Sequence, residues 1–144
     1  YKIYTYHVFT QRPCPKKQRY GYMYWHALNR KKLYDVLQVF VGTHDFKAFS
    51  KKNGEVDTIR TIIAIDVEDD HELGFIITIK GISFLQYMVR RIVGSALAIA
   101  SDEQRSKEEI VSLLKNNNVF VKNLPKAPAK GLCLEKIVYQ GESI

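Results

Sequence analysis

Apolar and polar positions alternate from the first residues of the chain. In KIYTYHVF (residues 2–9), Tyr4, Tyr6 and Val8 fall on one face and Ile3, Thr5, His7 and Phe9 on the other, which predicts a β-strand. QRPCPKK (11–17) is a Pro- and Lys-rich loop, and RYGYMYW (19–25) reads as a short aromatic strand. Asn29 is a good N-cap for a helix with Leu33, Val36, Leu37, Phe40 and Val41 on one side, ended by Gly42. THDFKAFSKKNG (43–54) predicts one helical turn and a polar loop. VDTIRTIIAIDVEDD (56–70) and LGFIITIKGI (73–82) are β-rich runs about the acidic turn EDDHE, hence a hairpin.

ISFLQYMVRRIVGSALAIA (82–100) predicts a buried helix. At about 100° per residue, Leu85, Met88, Val89, Ile92, Ala96 and Ile99 share a face, Arg90 lies roughly 150° from its centre, and Arg91 sits nearer its edge. The apolar face is expected to pack on the sheet and leave the Arg90 side free to line a groove. Ser106 and Glu109 form a capping box for a shorter helix. VKNLPKAPAKG (121–131) is a proline-bearing loop, and LCLEKIVYQ (132–140) closes as a strand. The order β-β-α-β-β-α-α-β predicts one α+β domain over residues 1–144, an antiparallel sheet with helices packed on one side.

Composition narrows the partner. Hydrophobic residues make up 46% of 144, enough for a core, and 22 Lys and Arg outnumber 15 Asp and Glu to give +7. Such a surplus suits a polyanion, nucleic acid first. Cys14 and Cys133 have no framework or metal spacing and fit a reducing cytoplasm. No apolar run reaches the length of a membrane span. The abrupt start on a strand suggests a piece of a longer protein.

Familiar catalytic motifs are missing: there is no G-x-S-x-G, Walker A or dinucleotide G-x-G-x-x-G. His7, His26, His44 and His71 lack ligand spacing, so no metal is expected, and His44-Asp45 reads as a turn rather than part of a triad. Tyr4 and Tyr6 on one strand face, Arg90 and Arg91 on the helix, and Lys51, Lys52, Lys126 and Lys130 in loops combine rings with cations. That combination suits flipped or single-stranded nucleotides, since rings stack on bases and cations meet phosphates.

FVGTHDFKAFS (40–50), TIRTI (58–62), FLQYMVRRIVG (84–94) and APAKGLCLEKIVY (127–139), with the opening KIYTYHVF, resemble in order and spacing the C-terminal half of the tRNA pseudouridine synthase A family. The resemblance covers essentially the whole chain, although residues 10–28 are shorter and less family-like. It implies the C-terminal α/β subdomain of a pseudouridine synthase fold. The implied reaction is uridine to pseudouridine at positions 38 to 40 of the tRNA anticodon stem-loop, in a cytoplasmic homodimer needing no metal or organic cofactor. The family's G-R-T-D-x-G-V-H segment, which supplies the nucleophilic Asp, is not found in these residues and is expected upstream.

Carried over by motif, Tyr4 is the tyrosine that stacks on the target base and handles the C5 proton. Arg90 is the arginine that pairs with the catalytic Asp, while Leu132 and Phe84 form an apolar wall for the base. Arg91, Lys126 and Lys130 are candidates for RNA contact. Chemistry asks for such a set, because the base must leave its stack and a carboxylate in a dry pocket needs a cation beside it. A non-catalytic RNA-binding module remains the alternative. A purely structural domain is a third, in which Arg90 would be neutralised by Asp45 or Asp66.

Overall fold

The computed structural model describes residues 1–10, 21–24, 26–50, 57–70, 74–115 and 124–138. Among them are six strands: β1 (Lys2–Phe9), β2 (Tyr22–Met23), β3 (Gly42–Asp45), β4 (Ile59–Asp70), β5 (Gly74–Gly81) and β6 (Leu132–Ile137). Three α-helices accompany them: α1 (Arg30–Gln38), α2 (Met88–Ala100) and α3 (Glu108–Lys115). The strands form one sheet ordered β2-β1-β5-β4-β3, with β6 also paired to β1. The loop at 11–17, the tip of the predicted hairpin at 71–73 and residues 139–140 of the closing strand lie outside the described residues.

Register explains which face is buried. Tyr6 pairs with Ile77 and Val8 with Phe75, Ile79 lies between Tyr4 and Ile65, and Val67 faces Ile77. These residues share a face and join one core cluster with the apolar sides of all three helices. The opposite face carries Thr5, Thr78, Asp66 and Glu68. Helices on one side of a sheet make the α+β arrangement expected. Asn29 accepts the Lys32 N–H at 3.0 Å, and α1 then buries Leu33, Val36 and Leu37. Each such burial contributes about 1.5–3 kcal/mol, so packing holds a helix too short to persist alone. At α3, the Glu109 carboxylate accepts the Ser106 N–H at 3.3 Å, completing one arm of the predicted capping box.

Four expectations are corrected. The sheet is mixed, because β2 runs parallel to β1 over Val8–Tyr22 and Phe9–Met23. About a dozen residues separate them, long enough for a crossover instead of a tight hairpin. Gly42, at φ 114°, opens β3 instead of ending α1, and the turn expected after it begins only at Lys47. A four-residue strand is too short to show its alternation in sequence. The helix expected from Ile82 begins at Met88, since Tyr87 adopts left-handed backbone angles and the Ile82 N–H bonds Thr61 O at 3.1 Å. Nor is the far side of α2 free along its length. It is buried through Val93, Gly94 and Leu97, and at Gly94 the backbone of Pro125 and Ala127 lies against it.

Candidate active site

Three segments meet at the N-terminal turn of α2. Tyr4 projects from β1, Leu132 from the start of β6, and Phe84 to Arg90 come from the approach to α2 and its first turn. With Ala129 they line a cavity of about 430 Å³, within the ~300–1,000 Å³ typical of small-molecule sites. The Tyr4 and Phe84 rings stand edge to face, 5.0 Å between centroids at 85°. Tyr4, Phe84, Arg90 and Leu132, separated by up to 128 positions in the chain, therefore border one space.

Two anchors hold the 125–131 segment in place as the cavity's rim. On the helix side, Arg90 Nε donates to Ala127 O at 2.8 Å and the Ala127 N–H donates to Arg90 O at 2.9 Å. This approach needs Gly94: a Cβ there would sit 2.1 Å from Pro125 O. On the sheet side, Tyr6 donates its hydroxyl to Pro128 O at 2.6 Å, and its ring lies so close to Gly131 that a Cβ would meet it at 2.6 Å. Burial pushes the Tyr6 hydroxyl above the ordinary phenol range; neighbouring Tyr22 adds to this and Arg90 opposes it. Tyr6 thus stays neutral and donating.

Arg90 has no carboxylate partner among the described residues. Asp45 accepts from Thr58 Oγ1 at 2.5 Å and from the Lys47 N–H at 3.1 Å, while Asp66 is exposed on the opposite sheet face. Neither neutralises Arg90. The Nε bond to Ala127 orients the guanidinium and leaves its two terminal nitrogens, a geometry suited to a carboxylate held two-pronged. His44 bonds Val41 O at 3.0 Å, so His44 and Asp45 serve the local turn rather than a triad.

The other candidates sit around the rim. Lys126 Nζ lies 3.8 Å from the Tyr87 ring centroid, and Lys130 is exposed on the turn at Ala129–Gly131. Arg91 is half-buried, and its Nε is buried without a hydrogen-bond partner. Sequence reasoning named Tyr6 only as one ring of the aromatic and basic set, not as an anchor of the rim, and missed Gly94 and Tyr87. Gly94 had a signal, since an isolated glycine inside an apolar helical run commonly marks a close contact.

The tRNA pseudouridine synthase family model matches residues 36–140. The chain belongs to that family. Members similar to it include tRNA pseudouridine synthase A of Pyrococcus furiosus, 40% identical over 114 residues, covering 79% of this chain and 42% of that protein. That of Clostridium acetobutylicum is 37% identical over 145 residues, covering 96% and 56%. That of Methanosarcina barkeri is 40% identical over 108 residues, covering 75% and 39%. The chain thus spans about half the length of the curated relatives it matches, and the matched residues include every residue lining the cavity except Tyr4.

Proposed function

We propose that residues 1–144 are the C-terminal subdomain of a tRNA pseudouridine synthase acting on the anticodon stem-loop, and that the cavity receives the target uridine. Tyr4 stacks on the flipped base, with Phe84 and Leu132 as its apolar wall. The N1–C1′ bond breaks, the base turns, a C5–C1′ bond forms, and the C5 proton leaves as N1 gains one. The Tyr4 hydroxyl handles the C5 proton. Arg90 holds ionised the nucleophilic carboxylate supplied by a segment outside these residues. Arg91, Lys126 and Lys130 meet the RNA backbone. The same reading carries a cytoplasmic homodimer that works without metal or organic cofactor.

What supports it is the convergence of Tyr4, Phe84, Arg90 and Leu132 on one cavity in a chain of this family. The test is tritium release from unmodified, C5-tritiated tRNA by the full-length protein. Tyr4→Phe should keep tRNA affinity, because the ring remains, and lose most turnover, because the hydroxyl is gone. Wild-type turnover in that variant would refute the role given to Tyr4. Binding of tRNA without any release by the unaltered protein would favour the non-catalytic module.

A further inference from the structure

Tyr87 holds a backbone conformation that its residue type disfavours, φ 68° and ψ 0°, and it is the one non-glycine position with positive φ among the described residues. These angles suit the third position of a type II turn, where glycine or asparagine is usual. Tyr87 heads α2 but makes no side-chain cap hydrogen bond, so capping does not explain a tyrosine there. Such strain persists only where surrounding contacts over-determine it, and it gathers at functional sites.

The surroundings of the ring supply a reason. Lys126 Nζ lies 3.8 Å from its centroid and Arg90 Cζ 5.5 Å, and Tyr87 lines the cavity beside Phe84 and Arg90. One ring therefore gathers two cations from two segments. They repel each other, and among the described residues neither has a carboxylate partner. The ring's π face offsets part of that repulsion, and an anion within reach would offset more. Arg90 is tied to Ala127 O through Nε, whereas Lys126 is exposed at the rim.

We propose that Tyr87 is a positioning residue. Its ring holds the Lys126 ammonium at the cavity mouth as a receptor for the phosphodiester of the nucleotide whose base enters the cavity. The inference rests on the reading of that cavity as a uridine site.

The test is a double-mutant cycle in the full-length protein, with unmodified tRNA affinity measured against salt. Tyr87→Gly removes the ring and accepts the positive φ; Tyr87→Asn, which also tolerates it, repeats the test should the glycine variant fold poorly. Tyr87→Gly and Lys126→Ala should each weaken binding about two- to fivefold, on the scale of one exposed cation–π contact. Each should lower the slope of log affinity against log salt by about one. The double variant should bind no worse than either single one. Tyr87→Phe, which keeps the ring, should keep the slope. Additive losses in the double variant, or an unchanged slope in Tyr87→Gly, would overturn the proposal. An unaltered protein that binds tRNA but forms no pseudouridine would refute the uridine reading separately, and the cycle would still decide the pairing of Tyr87 with Lys126.

Discussion

Gly94→Ala sets two effects of opposite sign against each other. Helix propensity alone favours the variant, since alanine is better than glycine inside a helix by about 1 kcal/mol. Sterics oppose it: the new Cβ would lie 2.1 Å from Pro125 O and 2.7 Å from Ala127 N. Both are backbone atoms, so no side-chain rotation relieves the clash, and overpacking of this kind costs about 1–3 kcal/mol. Pushing residues 125–127 away also stretches the two Arg90–Ala127 hydrogen bonds, worth about 1 kcal/mol each. The net expectation is destabilisation by about 2–4 kcal/mol. For a protein of this size that lowers Tm by roughly 4–16 °C. Circular dichroism during heating of the full-length protein reads it directly, and turnover at a permissive temperature should fall as well, because Arg90 loses its anchor. A raised Tm would show that the segment yields freely and that the account of the rim is wrong.

Arg90→Ala should leave the far-ultraviolet spectrum unchanged and abolish single-turnover chemistry, with Arg90→Lys a poor rescue because an ammonium cannot reproduce a planar fork; a normal chemical rate in Arg90→Ala alongside a dead Arg91→Ala would reverse the two roles. The raised titration of Tyr6 means that its neutral form is the stabilised one. Its contribution is therefore complete below its ordinary value of 10.0 and is lost as pH rises beyond it. Denaturant unfolding between neutral and strongly alkaline pH should show that decline, and Tyr6→Phe should flatten it while costing about 1 kcal/mol at neutral pH through the lost bond to Pro128 O. Affinity for tRNA should fall steeply with salt, given the charge of +7; a level affinity would exclude a phosphate-driven contribution. The 144-residue chain by itself should release no tritium above background.

The hydrophobic pattern was a good guide wherever one face of an element is buried and the other wet. β1 and the β4–β5 pair came through as elements, and α1 with Leu33, Val36 and Leu37 buried although it stops at Gln38, because alternation and helical spacing are direct records of one-sided burial. It failed where an element is short or surrounded. GTHD carries too few residues to alternate, and ISFLQY, which leads straight into the apolar run of α2, reads as a helix although Tyr87 breaks the backbone before α2 starts. The candidate site residues were named through motif resemblance. Their meeting at one cavity was not legible, because it depends on β6 returning to β1 and on Gly94 admitting the 125–127 backbone. The strain at Tyr87 was invisible for a simpler reason: nothing in a tyrosine announces positive φ.

The pairing of β1 with β6 has a consequence in time. Thr5 donates to Glu135 across 130 positions, the Tyr1 backbone nitrogen donates to Val138 O at 2.6 Å, and the Val138 N–H donates to Tyr1 O at 2.7 Å. Tyr4 leaves the ribosome early in this segment and Leu132 late, on the order of 10 s apart at typical synthesis rates. The β4–β5 hairpin can form in that interval, since its contacts are local, and it can shield one edge of β1. The other edge, outside the Val8 and Phe9 positions that β2 covers, must wait for β6. The cavity is therefore among the last features to assemble, and a chain halted before Gly131 would lack both the β6 pairing and the Leu132 side of the cavity.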